Sequence, residues 1–235
     1  MAQNLYVDGT EMTQGEFSWA NVVATSFDSF QNMAEPYNSS ERILQSFFNF
    51  INEIGPFDED EFVRDVRNNV FIIEFPNPYN QTLWIPEYGT HVNVCGETGN
   101  QWIADEELRA NPTEHFLELV KRQHLKLNAW LDLRGDTEVY NEQAKAINTI
   151  ALFTRAYHCV ARIIVRETTH LPDGDVLRSV YHPYMTTKTH WYLNMPSSVL
   201  SEHHMSGTSP TEEGQKVFGR NVAKRLTREN IVAKK

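Results

Sequence analysis

The segment from Asn141 to Glu167 constrains the fold of this chain more than any other, because it runs without Gly or Pro for about seven helical turns. Apolar residues recur around most of the circumference that a helix of this length would have. A helix that is apolar on nearly every side is normally covered by other elements. The pattern therefore predicts a central helix over 141–167, around which the rest of the chain packs.

Three arginines interrupt this apolar surface: Arg155, Arg162 and Arg166. At about 100° per residue they would fall within about 40° of one another, with Asn148 two turns earlier on the same side. We refer to these four residues as the arginine stripe. A stripe of guanidinium groups on a buried helix must face an anionic group, since an unpaired buried charge is strongly unfavourable.

Three kinds of anionic group fit the arginine stripe. Carboxylates of the acidic half of the chain could pair with it. Phosphates of a nucleic acid could bind it, together with Lys121, Arg122 and Lys126 on neighbouring surfaces, because guanidinium and ammonium groups neutralise phosphates without reading bases. A small anionic ligand is the third alternative. We take single-stranded nucleic acid, bound through its phosphates, as the predicted partner.

The remaining helices are indicated by apolar residues at helical spacing and by capping residues. They are predicted over 15–33, 41–54, 58–66, 111–133 and about 209–226, with Ser39 and Ser40 as N-caps of the second. Runs of β-branched and aromatic residues predict strands over 69–75, 82–85 and 90–95. Turn residues separate these runs, so an antiparallel arrangement is expected.

The resulting fold class is α+β and predominantly α-helical. A helical core surrounds the central helix at 141–167, with a small antiparallel β element at 69–95 and extended N- and C-terminal arms. The expected division is an N-terminal arm at 1–13, a single mainly helical core domain at 14–200 and a basic C-terminal arm or helix at 201–235.

Charge is distributed unevenly along the chain, although the net charge is −10. Residues 1–107 hold 18 of the 31 acidic and 3 of the 21 basic residues, which leaves 13 acidic and 18 basic residues in 108–235. This asymmetry indicates a half that faces nucleic acid, or two halves that attract each other within or between subunits. A solvated acidic surface is the simpler alternative.

The C-terminal segment carries basic residues that recur along one helical face. These residues are Lys216, Arg220, Lys224, Arg225 and Arg228. Such a face can be solvated, can bind nucleic acid, or can dock on the acidic half of a neighbouring subunit. The last alternative fits the charge asymmetry best, so we predict subunit contacts here and a homo-oligomeric assembly.

Motifs for catalysis and metal binding are missing from the sequence. It contains no HExxH, no GxSxG and no phosphate-binding glycine loop, and none of its nine histidines pairs with a cysteine at zinc-finger spacing. Cys95 and Cys159 are predicted to be free thiols. We therefore predict that the chain is not an enzyme and that it needs no metal and no cofactor.

The start of the chain shows neither a basic region nor an apolar run, so no signal peptide is predicted. No apolar run reaches the length that a bilayer requires. These features predict an intracellular, cytoplasmic protein without membrane contact, which is not secreted and which, if viral, is part of the virion.

The sequence as a whole predicts an assembly-forming structural protein that packages nucleic acid non-specifically, such as a viral coat or nucleocapsid subunit. Its arginines would neutralise phosphates, and its two arms would join neighbouring subunits. One alternative is a structural connector that binds no nucleic acid. Another is a hydrolase that uses cysteine or histidine residues.

Overall fold

A four-stranded parallel sheet forms the centre of the protein. The computed structural model describes residues 4–10, 13–55, 59–96, 98–165, 205–206 and 209–232. The strands of this sheet are β1 (Asn4–Asp8), β2 (Ser29–Asn32), β3 (Asn69–Phe75) and β7 (Val160–Val165). Their order is β2-β1-β3-β7, and all neighbours run parallel. Because β2 and β3 lie on opposite sides of β1, the order of the strands reverses between β1 and β3.

Strands β3 and β7 have the composition that a parallel strand needs. All seven residues of β3 (NVFIIEF) are buried, and β7 (VARIIV) is even richer in β-branched residues. Helices cover both faces of a parallel sheet, so its strands appear in sequence as continuous apolar runs and not as alternating ones. In the register between the two strands, Ile72 lies opposite Arg162.

Side chains of the sheet alternate between two hydrophobic clusters. In β3, Phe71 and Ile73 point to one face, where α2 (Ser40–Ile54), α3 (Glu59–Asn68) and α6 (Asp136–Ala156) pack. Leu5 and Val7 of β1 point to the other face, together with Val70 and Ile72 of β3. That face is covered by α1 (Trp19–Ala24) and α7 (Glu212–Arg228). The protein therefore has three layers, helix, sheet and helix.

A smaller unit is inserted between β3 and α6. It contains β4 (Gln81–Ile85), β5 (Thr90–Val94), β6 (Gln101–Ile103), α4 (Glu106–Ala110) and α5 (Glu114–Arg134). The three strands are antiparallel, and they pack on Phe116 and Val120 of α5 to form a hydrophobic cluster of their own. The predicted strands at 82–85 and 90–95 are confirmed here. A second antiparallel pair joins β8 (Met205–Ser206) to β9 (Ser209–Pro210).

The predicted helix over 141–167 is wrong in its second half. Helix α6 ends at Ala156, His158 adopts a φ of 53°, and the chain continues as β7 from Val160. The reason is the run of β-branched residues in β7, which favours a strand and which a continuous apolar pattern does not distinguish from a buried helix. The predicted helix over 15–33 is likewise divided, because α1 is followed by β2.

The predicted fold class is also wrong, since the core is a parallel sheet between helices and not a helical bundle with a small β element. Strand β3 belongs to this parallel sheet and not to an antiparallel element. The N-terminal arm contains β1, which lies inside the sheet because its short apolar run is paired on both edges. The C-terminal arm contains α7, whose Phe218 packs on Trp19 with ring centroids 5.8 Å apart. The division at 13/14 and 200/201 stays a prediction.

None of the helices that the structure describes is both long enough and apolar enough to cross a bilayer.

Candidate functional site

Polar side chains gather at the carboxyl ends of β1 and β3, where the strand order reverses. In open α/β sheets, ligands bind at this topological switch point. We refer to the residues found there as the edge cluster: Asp8, Gly9, Thr10, Thr13, Asn38, Glu74 and Asn77. Their polar side chains are buried and require hydrogen-bond partners within the protein.

Asp8 is the last residue of β1 and is fully buried. Its Oδ1 accepts hydrogen bonds from the backbone N–H of Gly9 at 2.7 Å and from Asn38 Nδ2 at 3.3 Å. Its Oδ2 accepts one from the Tyr6 hydroxyl at 3.3 Å. Burial raises the pKa of Asp8 well above its ordinary value, and the negative charge of Glu35 adds to this effect.

Replacing Asp8 with asparagine should therefore change how stability depends on pH. An amide can make the same hydrogen bonds, because its oxygen accepts from Gly9 and Asn38 and its nitrogen can donate to Tyr6. Since the folded-state pKa of Asp8 is raised, its contribution to stability is fully present below its unfolded-state pKa of about 3.9 and is lost as the pH rises through the folded-state value.

We expect the free energy of unfolding of Asp8→Asn, relative to the natural chain, to increase steadily from pH 4 upward. Urea unfolding of both proteins at a series of pH values measures this difference, in which the titrating groups that do not interact with Asp8 cancel. A difference that stays constant with pH would show that Asp8 is ionised in the folded protein as readily as in the unfolded one.

Glu74 holds the other side of the edge cluster together. Its Oε1 accepts a hydrogen bond from Thr10 Oγ1 at 3.2 Å, and its Oε2 accepts a short one from Thr13 Oγ1. Thr13 and Glu74 also enclose Gly9, since a Cβ built on Gly9 would lie 2.5 Å from Thr13 Oγ1 and 2.9 Å from Glu74 Cβ. Position 9 therefore offers backbone groups and no room for a side chain.

A second polar network joins the inserted unit to the sheet. Glu35 Oε2 accepts hydrogen bonds from His91 Nε2 at 2.7 Å and from Asn93 Nδ2 at 3.0 Å, while Glu35 Oε1 lies 3.3 Å from Arg42 Nη2. Burial on its own would raise the pKa of Glu35. The hydrogen bond and the charge of His91, with the charge of Arg42, outweigh burial and lower that pKa.

Ser39 connects this network to the edge cluster. Thr82 Oγ1 donates to Asn93 Oδ1 at 2.7 Å, so the hydroxyl of Ser39 donates to Thr82 Oγ1 at 2.8 Å. Ser39 Oγ accepts from the backbone N–H of Arg42 at 3.1 Å and so caps α2, as predicted. Its own N–H donates to Asn38 Oδ1 at 3.1 Å. Ser39 thus lies at the amino end of a long helix, beside the switch point.

A cavity of about 490 Å³ opens beside Ser39, and we refer to it as the cleft. One wall is polar, with Ser39, Asn80, Gln81, Thr82 and Gln143. The other wall is mainly apolar and comes from the α5–α6 hairpin, with Leu127, Trp130, Leu131, Val139 and Ala146. A volume of this size with convergent polar groups on one side is typical of small-molecule sites.

A second cavity of about 550 Å³ adjoins the cleft. Gln81 and Leu131 line both cavities and therefore stand between them. The second cavity has a more polar lining, which includes Cys95, His124, Asn128 and Asp132. Cys95 and Cys159 are both free, as predicted. Among the residues that the structure describes, no group of three or more His, Cys, Asp or Glu side chains is arranged to hold a metal ion.

The arginine stripe does not form, because its members lie in different elements. Arg155 is exposed in the last turn of α6, and Asn148 is half-buried in the same helix. Arg162 is buried in β7, where its Nε lies 2.9 Å from Glu229 Oε2. Its partner is thus a carboxylate of the C-terminal segment and not of the acidic half. Arg166 lies outside the described residues.

The other predicted basic residues lie on helix surfaces. Lys121, Arg122 and Lys126 are exposed on α5, where Arg122 pairs with Glu118 at 3.3 Å. On α7, three basic residues pair within the same segment: Lys216 with Glu212, Arg220 with Glu213, and Arg225 with Glu229. Lys224 and Arg228 are exposed on that helix. Whether any of these residues binds nucleic acid or a neighbouring subunit stays a prediction.

Sequence reasoning missed the edge cluster entirely. Its residues lie in a segment interpreted as an arm, in two breaks between predicted elements, and in a strand that was assigned to an antiparallel element. The sequence does contain a signal for this site: the polar residues Asp8, Thr10 and Asn77 lie just after short apolar runs. Polar residues at the ends of two parallel strands meet at one edge of the sheet, but this inference requires that both runs be assigned as strands first.

Comparison with known proteins identifies the fold. No protein-family model and no curated protein matches the sequence. The structure is similar to the psychrotrophic esterase EstA from Pseudoalteromonas sp., with a TM-score of 0.52 and 11% identity over 97% of this chain and 99% of that chain. It is also similar to the acetyl xylan esterase Est2A from the rumen bacterium Butyrivibrio proteoclasticus, with a TM-score of 0.49 and 9% identity over 97% of this chain. The match covers 64% of the length of Est2A. A putative acylhydrolase from Bacteroides fragilis gives a TM-score of 0.49 and 11% identity over 97% of this chain and 88% of that one.

The likeness to EstA corrects two predictions. The chain has an α/β fold that is found in an esterase, so the predicted coat or nucleocapsid subunit that packages nucleic acid is wrong. The prediction that the chain is not an enzyme is contradicted by the same likeness, because the similar structure EstA is described as an esterase. The alternative of a hydrolase agrees better with the fold than the main prediction does.

Proposed function

We propose that this protein is an ester hydrolase that holds its substrate in the cleft. The observation that carries the proposal is the position of the cleft, whose polar wall contains Ser39, the residue that follows Asn38 of the edge cluster and donates its N–H to Asn38 Oδ1. The similar structure EstA is described as an esterase. The apolar wall formed by the α5–α6 hairpin suits the hydrocarbon part of an ester.

Ser39 is the residue that we assign as the nucleophile. It lines the cleft, and it caps the amino end of α2, where the helix dipole favours a developing negative charge on Oγ. In the reaction, Ser39 Oγ forms a bond to the acyl carbon, the ester C–O bond breaks, and the alcohol leaves with the proton of the serine. Water then cleaves the acyl-serine and releases the acid.

The test is hydrolysis of p-nitrophenyl butyrate by the natural chain and by Ser39→Gly. Glycine is a tolerable helix cap, so this variant should keep the fold, and we expect its rate to fall by more than about tenfold. A fluorophosphonate, which reacts with nucleophilic serines, should add its mass to the natural chain and not to the variant.

Ser18→Gly is the matched control for this experiment. Ser18 caps α1 in the same way, by accepting from the backbone N–H of Asn21 at 3.4 Å, but it lies on the opposite face of the sheet. We expect this variant to retain the rate and the labelling of the natural chain. Absence of hydrolysis by the natural chain, or a Ser39→Gly variant that is as active as Ser18→Gly, would refute the proposal.

A further inference from the structure

The polar side chains of the cleft are almost all paired within the protein. Asn80 Nδ2 donates to the carbonyl of Asn38 at 3.3 Å, and its Oδ1 accepts from the N–H of Gly96 at 3.0 Å. Gln143 Nε2 donates to Ser40 Oγ at 3.0 Å and to the carbonyl of Pro76 at 2.7 Å. This pairing holds the amide groups of Asn80 and Gln143 in place in the wall and leaves them little hydrogen-bonding capacity for a ligand.

Gln81 differs from these residues. Its Oε1 is shielded from solvent, yet no donor among the described residues forms a hydrogen bond with it. A buried carbonyl oxygen without a donor is unfavourable, and the cost disappears when a bound molecule supplies the donor. Within the part of the chain that the structure describes, Gln81 Oε1 is thus a buried acceptor that receives no hydrogen bond.

The position of Gln81 suggests which part of a ligand would supply that donor. Gln81 and Leu131 separate the cleft, with its apolar wall, from the second cavity, whose lining includes His124, Asn128 and Asp132. A ligand with an apolar group in the cleft and a polar group in the second cavity would lie against Gln81, which lines both.

We propose that the two cavities bind one ligand and that Gln81 Oε1 accepts a hydrogen bond from its hydroxyl group. This inference rests on the proposed function and names its substrate class: an ester whose acyl group lies in the cleft and whose alcohol is a polyol with free hydroxyl groups. The polyol lies in the second cavity, where the amide of Asn128 and the carboxylate of Asp132 are suited to bind hydroxyl groups.

Two esters that differ only in these hydroxyl groups test the inference. Glycerol 1-monobutyrate and propyl butyrate share the acyl group and the length of the alcohol, but only the first can donate to Gln81. For the natural chain, we expect the ratio of kcat/KM for the glycerol ester to kcat/KM for propyl butyrate to be at least about five. In Gln81→Leu, which is similar in size but has no acceptor, this ratio should fall about fivefold.

Gln45→Leu is the matched control, because Gln45 is exposed on α2, where its Oε1 accepts a hydrogen bond from Arg42 Nη1 at 3.3 Å, and it lines neither cavity. It should keep the ratio of the natural chain. A Gln81→Leu variant with an unchanged ratio would overturn the inference.

Binding of 1-O-butylglycerol, an ether that cannot be hydrolysed, separates this inference from the proposed function. Calorimetry should give a Kd that rises about fivefold in Gln81→Leu. If neither ester is hydrolysed but the ether binds with this dependence on Gln81, the proposed function and the ester as substrate fail, whereas the binding of a ligand hydroxyl by Gln81 stands. If the esters are hydrolysed and Gln81→Leu changes neither the ratio nor the Kd, the inference fails and the function stands.

Discussion

Replacing Arg162 with glutamine is expected to lower the free energy of unfolding by about 3 kcal/mol, the cost of breaking a largely buried ion pair. Arg162 is 7% exposed in β7, and its guanidinium contacts Glu229 Oε2 through Nε at 2.9 Å and through Nη2 at 2.5 Å. Its Nη1 donates to the carbonyl of Ala161 at 2.7 Å. The pair also joins the sheet to the end of α7, so its loss loosens the docking of that helix.

Arg155→Gln is the control, since the same change is made at an exposed arginine of the same predicted stripe. Its effect should stay within about 0.5 kcal/mol. Urea unfolding of both variants measures the difference, and a cycle with Glu229→Gln isolates the coupling between the two partners. Equal effects of the two arginine variants would mean that the Arg162–Glu229 pair contributes nothing to stability.

Replacing Gly9 with alanine is expected to lower the free energy of unfolding by about 2–3 kcal/mol, because the added Cβ overpacks the edge cluster. The Cβ would meet Thr13 Oγ1 at 2.5 Å and Glu74 Cβ at 2.9 Å, and both residues are fully buried. Gly9 is not among the residues with positive φ, so the penalty is steric and does not arise from backbone strain.

A double variant tests this explanation. Thr13→Ala removes the hydroxyl that the new Cβ would contact, but it also removes a hydrogen bond to Glu74. The combined cost of Gly9→Ala and Thr13→Ala should therefore be smaller than the sum of the two single costs, by about 1 kcal/mol. Additive costs, measured by urea unfolding, would show that the close approach to Thr13 is not what makes glycine necessary.

Local features of the fold could be predicted from the sequence. Helix α2 begins at Ser40 after its Ser39 cap, and the last helix begins at Glu212 with Thr211 as its cap, close to the predicted positions. The strands at 69–75, 82–85 and 90–95 were also predicted. Caps, turns and strand composition act within a few residues of each other, so their signal is visible in the sequence itself.

Non-local features could not be predicted in this way. Strand β7 pairs with β3 far away along the chain, and β1 lies between β2 and β3 although its sequence is short and flanked by polar residues. The apolar residues of α6 and β7 follow one another so closely that a single helix explains them equally well. Only the pairing partner shows that Val160–Val165 is a strand.

The edge cluster follows from this topology and was missed for the same reason. Asp8, Asn38 and Glu74 come from three segments whose proximity is created by the strand order β2-β1-β3. Ser39 was interpreted only as a helix cap. That prediction is confirmed, but it did not indicate that the capping hydroxyl also borders a cleft. Charged residues within an apolar segment are unusual in a sequence, whereas polar residues after a strand are common and therefore mark no site.

The packing of α7 on α1 has a consequence for how the chain is made. Trp19 and Val23 lie beneath Phe218, Val222 and Leu226, yet α1 ends at Ala24 and α7 begins at Glu212. During synthesis α1 therefore leaves the ribosome long before its cover exists, and its apolar face stays open to other nascent chains and to chaperones. Completion of the last helix is the event that removes this exposure, so premature termination near Gln215 would leave a chain prone to aggregation.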